Sequence, residues 1–254
     1  MRGNVTAAAL LVAIFVAWEA GVRAFKVKPI ILPPPSAVFA DLLAAPAWYL
    51  GHAWYTLLVT LAGFALSVLI GVLLAVLIVE SRLLEKSIYG LIVGLNSVPK
   101  VAVAPLFVIW LGTGAAPKIA IGFLIAVFAI VIDGVLGLKS VPPDILDLAR
   151  SLRGGRLATL WRIRFPCALP SLFAGMKVAI SLALVGAIVG EFVSSQRGLG
   201  YVILSAQGMF DTARVFAAIL VLAVMGVALF WLIAWLERLA IPWHASQREH
   251  VSTH

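Results

Sequence analysis

The chain alternates long apolar runs with short charged or Pro/Gly-rich breaks, and this alternation is what most restricts its fold. A helix needs roughly 20 apolar residues to cross a hydrocarbon layer. Such runs are placed at about 6–24, 54–79, 88–112, 117–138, 171–195 and 213–236. Composition agrees: 63% of the 254 residues are hydrophobic and 12% charged, with a mean hydropathy of +1.11. A soluble domain is nearer half apolar and a quarter charged. The expected fold class is all-α, a polytopic membrane protein of about six transmembrane helices.

The net charge of +8 would raise nucleic acid as a partner in a soluble protein, but in a membrane protein it reflects basic cytoplasmic loops. With both termini cytoplasmic, the inner side carries Arg2, Arg82, Lys86, Lys139, Arg150, Arg153, Arg156, Arg162, Arg164, Arg238 and Arg248. The outer side carries Arg23, Lys26, Lys28, Lys118, Arg197 and Arg214. The excess inside sets the orientation, although the first span taken alone has more basic residues on its outer flank. Met1 to Trp18 begins like a signal sequence, but no small-x-small cleavage site precedes Arg23, so it reads as a retained span. The one cysteine, Cys167, excludes an internal disulfide and a Cys-based metal cage. The organisation expected is a first helix with an external connection over 1–53, a core of five spans over 54–244 and a cytoplasmic tail over 245–254. Within the connection, Ser36 follows three prolines and is a candidate N-cap for a short interfacial helix.

The loop at 139–170 has the densest charge pattern. Pro142-Pro143 end the preceding helix, Asp144 can cap a new one, and Ile145, Leu148, Ala149 and Leu152 recur at helical spacing. Gly154-Gly155 then stop it, and a second short helix is expected from Arg156 until Pro166 ends it. Two readings fit this amphipathic elbow. It can rest on anionic headgroups, or it can dock a cytoplasmic partner by its apolar stripe. Periodicity does not separate them.

The same loop resembles the cytoplasmic Glu-Ala-Ala loop of permease subunits of binding-protein-dependent ABC importers. Asp147-Leu148-Ala149 stands at its opening triplet and Ile163-Arg164-Phe165-Pro166 at its close, with the family's spacing kept. Asp147 replaces Glu, Phe165 replaces Leu, and Arg153 occupies the glycine position, with Gly154 one residue later. Further stretches are similar to the branch that takes up nitrate, sulfonates, taurine, bicarbonate and thiamine precursors: Asn96 to Lys100, Ala104 to Phe107, Gly190-Glu191-Phe192, Arg197 to Tyr201 and Ile241 to His244. The resemblance implies a pore formed with a second copy of the chain, two cytoplasmic ATPase subunits, an external solute-binding protein and no role for nucleic acid. It also implies an ATPase-coupling surface of Asp147, Leu148, Ala149, Arg150, Ser151, Arg153, Gly154, Phe165 and Pro166. The residues agree in one respect: no phosphate-cradling Gly-x-x-x-x-Gly-Lys-Ser/Thr is present. ATP and Mg are therefore expected on a partner ATPase, with no cofactor on this chain and no catalytic role for it.

Ionisable residues within spans are costly and mark functional candidates. Lys100 lies between Pro99 and Pro105, about 18 Å into its span at 1.5 Å per residue. It either faces a pathway through a proline-interrupted helix or pairs or snorkels as structural glue. Asp133 precedes Gly134 near the inner end of its span and reads as an interhelical hydrogen-bonding group. Glu191, with Ser194 and Gln196, lies toward the outer end of the fifth span, as part of an outer gate or in contact with solute. Asn96, Lys100, Asp133, Glu191, Ser194 and Gln196 are the pathway or gate candidates. Lys177 is close enough to the inner end to snorkel, and Gly63, Ser67 and Gly71 form a close-packing face. The expected solute is a small anion such as a sulfonate, nitrate, bicarbonate or carboxylate, with a thiamine-precursor heterocycle as the alternative. An ion-coupled transporter without an ATPase is the rival function.

Overall fold

The computed structural model describes residues 2–81, 83–84, 94, 98–152 and 154–242. Among these the regular structure is helical: α1 (Arg2–Ala24), α2 (Pro35–Ala44), α3 (Pro46–Glu80), a 3₁₀ turn (Lys100–Val103), α4 (Ala104–Leu111), α5 (Ala115–Lys139), α6 (Pro143–Ser151), α7 (Arg156–Ser194), α8 (Leu199–Gly208) and α9 (Thr212–Ala240). Among the described residues, α3, α5, α7 and α9 are long and apolar enough to cross a membrane. α1 covers the first expected span. Most of the expected third span before Val98, with Asn96, lies outside the described residues, as do Arg153 and the tail from Trp243 onward.

Lipid tails are as apolar as leucine, so membrane helices associate by close packing rather than by hydrophobic burial. α3, α5 and α7 supply the small residues this requires. Gly63, Ser67 and Gly71 are buried where α3 runs parallel to α5, and the Ser67 hydroxyl donates back to the Gly63 carbonyl at 2.8 Å. α5 and α7 run antiparallel and touch backbone to backbone, since a Cβ added at Gly186 would stand 2.5 Å from the Gly122 Cα. α9 completes the bundle against α7 through Ile180, Leu229 and Ile233. At one end of the bundle lie the first residues of α3, α5 and α9, the last residues of α7, and the short helices α2 and α8. At the other lie the last residues of α3 and α5, with α6 and the start of α7; this is the arginine-rich end.

Two local expectations give way to longer-range physics. Pro166 does not end a helix: α7 continues through it, by way of a π-type turn over Leu160–Arg164. A proline ring clashes with the carbonyl four residues back and lacks an N–H, and the widened turn, with Phe165 N–H donating to the Leu160 carbonyl, accommodates both. Ser36 and Asp144 do not cap their helices with their own side chains. The N-terminus of α2 is closed instead from α1, where Glu19 accepts from the Ser36 N–H at 3.0 Å and from its hydroxyl at 2.9 Å.

Candidate functional site

At the end opposite the arginines, the chain folds a polar knot around Glu191. This side chain is 1% exposed. One carboxylate oxygen accepts from the Thr56 hydroxyl at 2.8 Å and the other from the Gly200 N–H at 2.7 Å. The Thr56 oxygen in turn accepts from the Leu199 N–H at 2.9 Å, and His52 Nδ1 accepts from the Gly198 N–H at 3.1 Å. Glu191 and its helix-α3 neighbours thus close the open N–H groups at the start of α8, where the helix dipole also favours a negative charge. Gly198 has φ +103°, a conformation other residues rarely adopt, and a Cβ there would fall on the Glu191 carboxylate. The motif Arg197 to Tyr201 is therefore the turn that delivers α8 onto Glu191.

Lys118 completes the knot. It is 1% exposed, and its ammonium donates to the carbonyls of Thr113 (3.0 Å), Gly114 (2.6 Å) and Ser194 (2.9 Å). It thereby ties the loop before α5 to the last residue of α7, where free carbonyls favour a cation. Sequence reading placed Lys118 only as a flanking charge and gave Thr56 and His52 no role in this region. The available signal was a lysine in the first turn of an apolar helix. Beside the knot, Tyr55, Thr113, Lys118, Ser194, Ser195, Gln196 and Arg197 line an open cavity of about 430 Å³. It gathers Ser194 and Gln196, whereas Glu191, Lys100 and Asp133 are not among its lining residues.

Within the bundle, Lys100 sits in the 3₁₀ turn with its ammonium 4.5 Å from the centroid of the Phe128 ring, a favourable cation–π contact. Asp133, half-buried, faces Gly175 of α7, whose missing side chain leaves it room. Lys177 pairs with Glu237 of α9 at 2.5 Å, so a partner rather than the membrane surface receives its charge.

At the arginine-rich end, α6 buries none of its residues among those described. Its apolar stripe faces outward, with Ile145 42%, Leu148 60% and Leu152 75% exposed. Arg150 pairs with Asp147 at 2.6 Å, and the Ser151 hydroxyl donates to the Leu148 carbonyl at 2.8 Å. The helix is closed by the Gly154 N–H, which donates to the Ala149 carbonyl at 2.8 Å, and a Cβ at Gly154 would stand 2.8 Å from that same oxygen. Only glycine permits so close a return. Phe165 packs against Trp161 with ring centroids 5.1 Å apart and planes tilted by 44°, and also against the core of α3, α5 and α7. Asp147, Leu148, Arg150, Ser151 and Gly154 are exposed and Ala149 is half-buried, while Phe165 and Pro166 lie in the first turns of α7.

Residues 67–241 match the family model described as the binding-protein-dependent transport system inner membrane component. The chain belongs to this family. It is 32% identical over 235 residues to the formylaminopyrimidine transport permease of Halalkalibacterium halodurans, covering 92% of this chain and 94% of that protein. It is 35% identical to the riboflavin transport system permease of Chloroflexus aurantiacus, covering 93% and 89%, and 29% identical to the putative aliphatic sulfonates transport permease of Bacillus subtilis, covering 93% and 87%. In fold it is similar to a chain of the MetNI methionine ABC transporter in an inward-facing conformation, with a TM-score of 0.67, 17% identity and coverage of 76% and 96%. The protein is a permease subunit of an ABC importer, an inner-membrane component and not an enzyme. A self-contained ion-coupled transporter is thereby set aside.

Proposed function

We propose that two copies of this chain form the translocation pathway, that two cytoplasmic ATPase subunits dock on α6 of each copy, and that an external solute-binding protein delivers solute at the Glu191 end. Both termini then lie in the cytoplasm. ATP and Mg reside on the ATPases, and this chain binds no cofactor. The observation that carries the reading is the outward apolar stripe of α6, joined by Gly154-Gly155 to a helix of 39 residues. At 1.5 Å per residue α7 spans about 58 Å, so a displacement of α6 by its partner is passed along one element to the Glu191 knot. ATPase closure opens the pathway outward, and its release after hydrolysis opens it inward.

Two solute classes have support. A nitrogen heterocycle is favoured by the pyrimidine and riboflavin relatives, which match over more than nine-tenths of this chain. A small anion is favoured by the sulfonate relative and by a taurine permease 30% identical over 226 residues. The test of the coupling reading is co-purification in detergent with the ATPase encoded beside this chain. Wild type retains the ATPase, and Asp147→Arg and Leu148→Glu shed it while staying folded and dimeric. Retention by both variants would move α6 to the lipid surface. Ranking a formylaminopyrimidine against a sulfonate by thermal stabilisation of the cognate binding protein decides the solute class.

A further inference from the structure

Behind α6 lies a cleft of about 860 Å³, walled by the last residues of α3 and α5, by α6 and by the first turns of α7. Among the described residues, Lys139, Arg150, Arg156 and Arg164 line it together with the carboxylate of Glu80, and the Thr159 hydroxyl adds a neutral hydrogen-bonding group. Arg150 is already bound to Asp147. The guanidinium groups of Arg156 and Arg164 find no partner among the described residues. Arg164 is half-buried and belongs to the π-type turn, a helix irregularity that re-aims side chains and recurs at functional sites.

Two planar guanidinium forks lining one concavity fit the oxygens of a phosphate better than they fit an isolated carboxylate. The level of the cleft points the same way. Glu80 and Lys139 are the last residues of membrane-length helices, so the cleft stands where lipid phosphates lie, and basic pockets between helices at that level hold anionic headgroups. The outward stripe of α6 is not part of it, since only Leu146, Arg150 and Gly154 of that region line the cleft. We infer that this cleft is a binding site for a phosphate-bearing anion, an anionic phospholipid headgroup or a free phosphate, held chiefly by Arg156 and Arg164.

The experiment uses the full chain, delipidated in detergent and offered phosphatidylglycerol or phosphatidylcholine, with retained lipid counted by native mass spectrometry. Phosphatidylglycerol is expected to bind more tightly by about tenfold or more, the scale of one or two hydrogen bonds to a charged group. The double variant Arg156→Gln/Arg164→Gln abolishes the preference. Arg162→Gln, an exposed arginine of the same turn that does not line the cleft, leaves it intact. Displacement of the lipid by millimolar inorganic phosphate assigns the site to a free phosphate, and failure to displace assigns it to the headgroup. Should the double variant not fold, Arg164→Lys, which keeps the charge and loses the fork, is expected to weaken binding several-fold. The inference is overturned if the two lipids bind equally and inorganic phosphate does not bind. It is equally overturned if Arg162→Gln costs as much as the double variant, if Arg164→Lys binds like wild type, or if the double variant keeps the lipid preference and instead sheds the ATPase, which would make the cleft a protein contact.

Discussion

The two ends of the bundle treat charge in opposite ways. Around Glu191, every charged group at the centre is buried and bound within the chain: the carboxylate by Thr56 and Gly200, the ammonium of Lys118 by three carbonyls. At the arginine-rich end, Leu148 and Leu152 stand exposed and Arg156 and Arg164 find no partner among the described residues. Burying a charge without partners is costly, so the first end is stable by itself. At the second, Arg156 is exposed and Arg164 half-buried, so water can still reach the charges that find no partner among the described residues. Apolar groups in water beside unpaired arginines are what a surface awaiting other molecules offers, and a 39-residue helix joins the two ends. One end is built to hold its shape while the other is built to be moved.

This contrast breaks most severely at Gly198. Gly198→Ala combines an unfavourable positive φ, costing about 1–3 kcal/mol, with eviction of the Glu191 carboxylate. The expected loss is about 3 kcal/mol or more, read as a lowered melting temperature of the detergent-solubilised chain. Glu191→Leu keeps the backbone but leaves the Gly200 N–H without its acceptor, and a buried unsatisfied polar group costs about 1–3 kcal/mol. It is expected to melt below wild type and above Gly198→Ala, with Glu191→Gln in between because an amide oxygen can still accept. A Glu191→Leu protein that melts like wild type would mean that the knot does not hold this end.

Lys177→Met, nearer the arginine-rich end, tests the same rule within the bundle. It leaves Glu237, whose side chain is 19% exposed, without its cation, at an expected cost of about 1–2 kcal/mol, less than the several kcal/mol of fully buried pairs. Lys177→Met/Glu237→Met is expected to recover most of the loss, because the double change removes the stranded charge. If the single and double variants melt alike, the pair contributes nothing.

What the sequence reveals and what it hides divide along the same line. Features carried by neighbouring residues were legible: the long apolar runs, the stripe Ile145–Leu148–Leu152, the stop at Gly154-Gly155, and the small-residue face of Gly63, Ser67 and Gly71. Features that depend on distant residues were not. Helix α8 has no cap residue in its own stretch because Glu191, on the previous helix, caps it; likewise Glu19 closes α2 from seventeen positions before Ser36. Lys177 reads as a snorkelling lysine until α9 brings Glu237 beside it. Pro166 reads as a stop because the rule for proline assumes an α-turn, and the chain escapes it with a π-turn.

The smallest effect on stability is expected at Asp147, and that is what makes it informative. Its ion pair with Arg150 is largely exposed, with 66% of the Asp147 side chain open, and exposed pairs contribute little. Asp147→Ala should therefore shift stability by less than about 0.5 kcal/mol and leave the helical signal and the oligomeric state unchanged. If α6 docks an ATPase, the same substitution strips a charged group from that interface and frees Arg150 to face it unpaired. Solute-stimulated ATP hydrolysis by the assembled transporter then falls several-fold while the melting curve stays put. The combination separates the two ends: a residue of the Glu191 knot cannot lose function without losing stability, whereas a residue of α6 can. Asp147→Ala losing stability and hydrolysis together would place α6 with the self-completing part of the molecule and remove the contrast.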